Sequence, residues 1–340
     1  MVESSTPSDP QAEATLRARC ERHREIQAEI SDLSDGDLLR LLPGSPRIEE
    51  GHVSITLPAN KTRVFAKLLP LTVLERAPQN LHSTDNLFRL PSYYHYRLGS
   101  WGFGTSRELA AHRLVNDWVL SGQSAQYPLL HAWRTLPIVG RAPNTHQSRE
   151  LWGPNPAIER RVLAVAEATS SVVLFLEHFP ETLGQSLRTR LQDAPDPAAV
   201  LHEVETALMR AMTFLHDQDM LHMDVHLENV LVDEDGLYLT DFGLAISRTF
   251  DLDAKELEFF DDHAEFDRRT AVTCLVHAVV AQYDTSADWR QSLGALMNGS
   301  HAATASVPSS LRDYLAQCGP IALEMGEFFQ SLLDSLRPDR

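Results

Sequence analysis

Lysine and cysteine are both scarce in this chain of 340 residues. Only three of its 30 basic residues are lysines, namely Lys61, Lys67 and Lys255. Any lysine that falls within a motif is therefore of particular interest. The cysteines are odd in number and widely spaced, at Cys20, Cys274 and Cys318. This spacing argues against a disulfide framework and against a cysteine-based zinc cluster, and it favours a reducing, cytoplasmic setting.

Three further absences limit the function. The 47 acidic residues outnumber the basic ones and give a net charge of -17, so we expect no dedicated nucleic-acid-binding face. No apolar run approaches the roughly 20 residues that a membrane helix needs, and we expect no membrane partner. Residues 1–12 are polar and acidic, which predicts a disordered tail and not a secretory signal.

The residue patterns in the first half of the sequence predict helices first and then short strands. An apolar stripe over 16–33 predicts a helix, and Ser34 is placed to cap a short one that follows. Short β-branched runs then predict strands over 52–57, 62–69, 129–136 and 171–178. The last of these is continuously apolar, which is typical of a buried strand.

Other segments separate these strands. Residues 70–104 are rich in Pro, Gly, Asn, Ser and Tyr, and they predict a long irregular insertion. Thr105 and Glu108 have the spacing of a capping box, so a helix is expected from Thr105 to about Leu120. A loop is predicted over 139–156. After residue 180 the pattern becomes helical, with helices over 182–191 and 198–216.

The residues that indicate chemistry lie between Leu221 and Ser247. His222-x-Asp224 is followed by Asn229 five positions after the aspartate, and Asp241-Phe-Gly243 follows a predicted hairpin. Each residue alone would be ordinary in a loop, but the ordered set is specific. It resembles the catalytic loop and the metal-binding segment of protein kinases. The resemblance implies that Asp224 accepts the proton of an attacking hydroxyl, and that Asn229 and Asp241 ligate Mg²⁺ beside ATP.

The same resemblance assigns roles to residues before this segment. Lys67, in Val-Phe-Ala-Lys at the end of a predicted strand, corresponds to the lysine that binds the α and β phosphates of ATP. Its partner is expected to be Glu108. Two alternatives remain: Glu108 could only cap its helix, and Asp117, deeper in the same helix, could be the partner. Two further nucleotide contacts are implied, the inter-lobe hinge at Glu177 and Phe179 and the phosphate loop at Gly44 and Ser45.

His226 bears on the kind of acceptor. A histidine two positions after the catalytic aspartate resembles the aminoglycoside phosphotransferases, whereas Asp-Phe-Gly resembles the protein kinases. His226 is therefore assigned to the catalytic loop, either in a catalytic role or in packing the loop. Beyond Gly243 there is no Ala-Pro-Glu motif, and the segment from Asp251 to Asp267 is acidic, which favours a cationic acceptor. Asp267 could brace the catalytic loop or merely begin a helix.

The sequence as a whole predicts an α+β, two-lobed protein-kinase-like fold with an N-terminal helical extension. We divide it into a tail and helical extension (1–42), a small β-rich lobe (43–178, with the insertion at about 70–104) and a larger helical lobe (179–340). The expected activity is transfer of the γ-phosphoryl group of Mg-ATP to a hydroxyl, first of all a protein Ser or Thr. A small-molecule acceptor and a nucleotide-binding pseudokinase remain alternatives.

Overall fold

The computed structural model describes residues 10–42, 48, 51–284, 288–300 and 307–336. Gly44 and Ser45, which were expected to form the phosphate loop, lie outside the described residues. The expectation about this loop therefore stays a prediction.

The first half of the chain contains a four-stranded antiparallel sheet, and its strands lie where the sequence predicts strands. Its strands are β1 (His52–Thr56), β2 (Arg63–Pro70), β3 (Leu130–Leu136) and β4 (Ser171–Glu177). The spatial order is β1-β2-β4-β3, so β4 is an inner strand. The first six residues of β4 are all buried, which is the reason for its continuous apolar run.

Two N-terminal helices cover one face of this sheet. They are α1 (Pro10–Asp32) and α2 (Asp35–Leu41), and Ser34 caps α2 in a capping box with Asp37. The expectation of disorder through residue 12 is wrong for residues 10–12, because α1 begins at Pro10, and proline suits the first turn of a helix. Ile26 and Ile30 of α1 pack in one cluster with β-sheet residues.

The other face of the sheet packs against α4 (Thr105–Leu120). Side chains alternate along a strand, so Val173 and Phe175 of β4 join the cluster under α1, whereas Leu174 and Leu176 join Leu109 of α4. In β2, Ala66 belongs to the cluster under α1. The next residue is Lys67, and the alternation therefore places its side chain on the α4 face.

Two segments interrupt this half of the chain. The insertion at 70–104 is mostly irregular, as expected, but it contains α3 (Val73–Arg76). The prediction of a loop over 139–156 is wrong, because α5 (Thr145–Trp152) lies within it and α6 (Pro156–Ala166) follows. Asn144 caps α5 by accepting a hydrogen bond from the N–H of Gln147. The fully buried Trp152 anchors the end of this helix.

The second half of the chain is mainly helical. Its long elements are α7 (Leu183–Asp193), α8 (Pro197–Asp217), α9 (Ala254–Asp262), α10 (Phe266–Tyr283), α11 (Trp289–Asn298) and α12 (Ser309–Leu336). Its short strands are β5 (Glu181–Thr182), β6 (Met220–Leu221), β7 (Val230–Val232), β8 (Leu237–Leu239) and β9 (Ile246–Ser247). Strands β7 and β8 form the predicted hairpin. None of the helices in the described ranges has the length and apolar character needed to cross a bilayer.

Candidate active site

The loop that follows β6 is braced from beneath by Asp267, the second residue of α10. Its carboxylate accepts hydrogen bonds from the N–H of His222 (2.6 Å) and from the N–H of Met223 (2.8 Å). Met223 has a left-handed backbone (φ 64°), which is unfavourable for a non-glycine residue and needs support from its surroundings. Burial raises the pKa of Asp267 to about 6 although both donors act against that rise. Of the two interpretations of Asp267, the brace is the one that the contacts support.

His222 connects this loop to the segment that carries Asp241. Its Nε2 donates to the carbonyl oxygen of Thr240 (2.9 Å), and its Nδ1 accepts the N–H of Asp224 (3.3 Å). Burial lowers the pKa of His222 to about 4. The ring is thus neutral near pH 7, with one nitrogen donating and the other accepting. It fixes the backbone of Asp224 relative to that of Asp241.

One carboxylate oxygen of Asp224 accepts a hydrogen bond, whereas the other accepts none from the described residues. The Nδ2 of Asn229 donates to the carbonyl oxygen (3.0 Å) and to Oδ2 (3.2 Å) of Asp224. Oδ1 is buried and accepts no hydrogen bond from the described residues. The closest charged group to it is Nε of Arg97, at an ion-pair distance of 3.4 Å. Burial, followed by the charge of Asp241, raises the pKa of Asp224 to about 7, in the range that suits a general base.

His226 begins the single turn at Leu227–Asn229. Its Nδ1 accepts the N–H of Glu228 (3.2 Å), so Nε2 carries the proton, and this atom lies 3.8 Å from Oδ1 of Asp224. Burial lowers the pKa of His226 to about 4. The histidine therefore packs and caps the loop as a neutral ring. A catalytic role for His226 stays a prediction.

Lys67 of β2 contacts two carboxylates, one on α4 and one in the helical half of the chain. Its Nζ lies 2.6 Å from Oε1 of Glu108 and 2.7 Å from Oδ1 of Asp241. Burial alone would lower the pKa of Lys67, but the charges of Asp241 and Glu108 outweigh burial and hold it well above its usual value. The ammonium is thus charged. Asp117, the rival partner, lies exposed elsewhere on α4.

The backbone of Asp241 is held in the left-handed region, with φ 66°. The N–H of Gly243 donates to its Oδ1 (3.2 Å), and Phe242 is buried at a contact distance from the rings of Tyr127 and His222. Burial would raise the pKa of Asp241, but Lys67 holds it well below the usual range. The anchored phenylalanine thus directs an ionised carboxylate toward Lys67.

These residues fit the magnesium ion that the sequence implies. In the described part of the chain, no three His, Cys, Asp or Glu side chains form a cluster that could enclose a metal. Mg²⁺ is usually held by one or two protein oxygens together with nucleotide phosphates and water, so it needs no such cluster. Asp241 supplies a carboxylate, and Asn229, whose Nδ2 faces Asp224, has its Oδ1 left for a metal.

A cleft of about 490 Å³ brings together Lys67, Glu108, Asp224 and Asp241. The sequence analysis missed the other side of this cleft. There the lining comes from the insertion and from the segment that begins α5, with Arg97, Gly99, Ser100, Trp101, Gly102, Arg141, Asn144, Gln147 and Ser148. Gly99 and Gly102 were the sequence feature that could have indicated this side of the cleft.

Gly102 shows why glycine is required in the wall of the cleft. Its φ is 66°, and a Cβ at this position would lie 2.7 Å from the carbonyl oxygen of Gly243. The insertion therefore meets the Asp241–Gly243 segment backbone to backbone. Arg97 and Arg141 carry no comparable signal in the sequence, because only tertiary packing brings them to the cleft.

The expected hinge residues, Glu177 and Phe179, do not line this cleft. The N–H of Glu177 donates to the carbonyl oxygen of Leu129 (2.8 Å), so this group is engaged within the protein. Contact of adenine with the other backbone groups of Glu177 and Phe179 stays a prediction. The side chain of Glu177 turns instead to α1, where Arg19 donates to both of its carboxylate oxygens (3.0 and 2.7 Å). Phe179 packs on the ring of Tyr238, with 4.2 Å between centroids.

Arg19 was also missed by the sequence analysis. Besides Glu177, its guanidinium donates to the carbonyl oxygens of Ala125 (2.6 Å) and Tyr127 (2.7 Å). It also lies over the ring of Tyr238. One side chain of α1 thus holds the segment before β3 and the end of β4 together.

Comparison with known proteins agrees with this geometry. The family model described as the protein kinase domain matches residues 159–256, which include Asp224, Asn229 and Asp241. Cyclin-dependent kinase 4 from Ovis aries, from Sus scrofa and from Bos taurus is 35% identical to this chain over 86 residues. The aligned part is 24% of this chain and 27% of each relative, so the chain spans about a quarter of the length of these relatives.

The matched region contains the braced loop and the Asp241–Gly243 segment, and the sheet before it supplies the ion pair between Lys67 and Glu108. The chain is thus similar to the protein kinases over residues 159–256.

Proposed function

We propose that this protein is an ATP-dependent phosphotransferase that moves the γ-phosphoryl group of Mg-ATP to a hydroxyl. The observation that carries the proposal is the convergence of Lys67, Glu108, Asp224 and Asp241 on one cleft. Phosphoryl transfer depends on positioning and on electrostatic stabilisation, and this set provides a cation for phosphate, a metal ligand and a base.

Each residue has a separate task in this proposal. Asp224 orients the acceptor hydroxyl and takes its proton, and its raised pKa and its Oδ1, which accepts no hydrogen bond from the described residues, suit this role. Lys67, held by Glu108, is directed at the nucleotide phosphates. Asp241 and Asn229 would hold Mg²⁺, which neutralises the charge that develops on the phosphates. We also propose that the sheet and the helical half act as the two lobes, with adenine near Phe179.

A match to kinases of proteins favours a protein Ser or Thr as acceptor. One observation favours a small molecule instead. The insertion lies directly on the segment after Gly243, where a peptide would dock in a protein kinase. The hydroxyl of Thr84 donates to Asp251 (2.9 Å), His95 donates to the carbonyl oxygen of Leu244 (2.8 Å), and the Tyr96 hydroxyl lies 2.6 Å from His263 Nε2.

Aromatic contacts also hold the insertion against the segment after Gly243. Tyr96 contacts Phe259 and Phe266, and the ring of His95 stacks on those of Phe103 and Phe259. The buried ion pair of Arg107 with Glu256 (2.8 Å) ties α4 to α9. We therefore regard a small hydroxyl compound as the second candidate acceptor.

The test is transfer of label from [γ-³²P]ATP with Mg²⁺, to water, to proteins and to small hydroxyl compounds. Lys67→Met should lower turnover at least about 100-fold, the usual effect of removing a group that stabilises the transition state. Lys61→Met is the matched control, because Lys61 is an exposed lysine in the turn before β2. Nucleotide binding without any turnover would support the pseudokinase alternative.

A further inference from the structure

Two arginines line the cleft together with Lys67. Arg97 comes from the insertion, is 52% exposed, and lies 3.4 Å from Oδ1 of Asp224 through its Nε. Arg141 comes from the segment before α5 and is exposed at the same cleft. Within the described residues, no ion pair or hydrogen bond engages the guanidinium of Arg141. Glu108 and Asp241, which also line the cleft, are already paired with Lys67.

The beginning of α5 adds neutral donors to the same wall. Asn144, Gln147 and Ser148 line the cleft at this end of the helix, where unpaired N–H groups and the helix dipole favour an anion. Ser148 is only 6% exposed, and its hydroxyl has no hydrogen-bond partner among the described residues. A buried hydroxyl without a partner is costly, which is the expected condition of a group that pairs when a ligand binds.

Three carboxylates of the acidic segment after Gly243 are engaged within the protein. Glu256 pairs with Arg107, and both side chains are 3% exposed. Asp261 pairs with Arg248, and Asp251 accepts the hydroxyl of Thr84. The preference of this segment for a cationic acceptor stays a prediction. At the cleft, Arg141 has no ion-pair partner among the described residues, and Arg97 is paired with Asp224.

We propose that the acceptor is a small hydroxyl compound that carries an anionic group, either a carboxylate or a phosphate, and that Arg141 and Arg97 bind this group. The proposal rests on the proposed phosphotransfer at Asp224. A cleft of about 490 Å³ is of the size that small ligands use. Arg141, the start of α5 and Asp224 line the same cleft, so an acceptor bound by its anionic group at Arg141 would present its hydroxyl to Oδ1 of Asp224.

The transfer then balances in one step. The acceptor oxygen forms a bond to the γ-phosphorus as its proton passes to the carboxylate of Asp224. The bond between the γ-phosphorus and the β–γ bridging oxygen breaks, and the electron pair leaves with ADP. Arg97 lies beside this carboxylate and lowers the pKa of Asp224 against the effect of burial.

The experiment uses four probes that share a three-carbon diol or triol skeleton. Glycerate carries a carboxylate, glycerol 3-phosphate a phosphate, 3-amino-1,2-propanediol a cation, and glycerol no charge. Binding of each is measured by calorimetry on the full chain saturated with Mg-ADP, and label transfer from [γ-³²P]ATP is followed in parallel with a Ser/Thr peptide. The variants are Arg141→Ala and Arg97→Ala. Arg113→Ala is the matched control, because Arg113 is exposed on α4 and does not line the cleft.

At least one anionic probe should bind about tenfold or more tightly than glycerol, as charge-assisted hydrogen bonds imply, and the amine should bind least. Arg141→Ala should remove this preference, and Arg113→Ala should keep it. Equal or tighter binding of the amine, an unchanged preference in Arg141→Ala, or transfer to the peptide alone would overturn the inference. In each of these cases, Mg²⁺-dependent use of ATP by the wild type would leave the proposed function standing. Failure to bind Mg-ADP would overturn both.

Discussion

The Nζ of Lys67 lies 2.7 Å from Oδ1 of Asp241, so an ion pair links the sheet directly to the segment that is proposed to hold the metal. The same ammonium lies 2.6 Å from Glu108. One lysine thereby sets the position of two carboxylates from different parts of the chain.

The first prediction is that Lys67 and Glu108 act as a unit. In a double-mutant cycle on kcat/KM, Lys67→Met should remove about 100-fold or more of the activity, and Glu108→Gln should add little to that loss. Each substitution breaks the same arrangement, so the effects should be clearly non-additive. Asp117→Asn, an exposed acid on the same helix, is the control. Additive losses would mean that Glu108 does not position Lys67.

The second prediction concerns the metal. Asp241→Ala removes the carboxylate that would ligate Mg²⁺, so it should abolish the dependence of ATP affinity on Mg²⁺. Calorimetric titration of ATP with and without Mg²⁺ gives this dependence directly. Asp261→Ala, which removes an exposed acid on α9, should leave it unchanged. A variant at Asp241 that still gains affinity on adding Mg²⁺ would remove the metal role from this residue.

The third prediction concerns Arg19 and Glu177, whose side chains are 6% and 11% exposed. Arg19→Ala leaves a buried carboxylate without its cation, which typically costs about 3–5 kcal/mol of unfolding free energy. Chemical denaturation measures this cost. Arg190→Ala, which removes one partner of the exposed pair with Glu203, should cost about 1 kcal/mol or less.

Rescue tests the cause of that loss. In the Arg19→Ala background, Glu177→Gln removes the unpaired charge and should restore part of the stability. If the second substitution restored none of it, the loss would come from the contacts of Arg19 with Ala125 and Tyr127 and not from the buried charge.

The fourth prediction is a loss of stability in mild acid that depends on buried histidines. Burial lowers the pKa of His95 to about 3, and it has the same effect on His112 and His131. An unfolded histidine has a pKa of about 6.5, so below that pH the unfolded chain binds more protons than the folded one. Stability contributed by neutral His95 is thus complete above about pH 6.5 and is lost as pH falls, by about 1.4 kcal/mol at pH 5.5.

The measurement is urea denaturation at pH 7.5 and at pH 5.5. Burial raises the pKa values of Asp224 and Asp267, which acts in the opposite direction, so the comparison between variants is the test and not the total slope. His95→Gln should reduce the acid-induced loss by about 1 kcal/mol, whereas His146→Gln, at an exposed position on α5, should not change it. An unaltered loss in His95→Gln would contradict the assignment of a neutral buried ring.

Much of the site could be predicted because its residues lie close together in the sequence and form recognisable short motifs. The interval from Asp224 to Asn229 fixes both residues in one loop, and Asp241 follows a hairpin whose strands are evident from their apolar pattern. The helix that carries Glu108 was also predicted, but its expected capping box is absent, because Gly104 is the N-cap residue and the Thr105 hydroxyl donates to the carbonyl oxygen of Pro70.

The rest depends on tertiary contacts that no local pattern encodes. Arg97 and Arg141 lie in irregular segments and reach the cleft only because the insertion and the start of α5 pack there. Helix α5 itself was predicted as a loop, since its polar sequence is stabilised by the cap at Asn144 and by the burial of Trp152. The engagement of Glu177 by Arg19 joins residues 158 positions apart.

The most direct measurement of the central claim is the turnover of Asp224→Asn compared with its affinity for Mg-ATP. The carboxylate of Asp224 is proposed to orient the acceptor and to take its proton, and it does not contact Lys67. We expect turnover to fall by about 100-fold or more while the affinity for Mg-ATP stays within about threefold of that of the wild type. A variant that retains more than about a tenth of the wild-type turnover would contradict the assignment of Asp224 as the catalytic base.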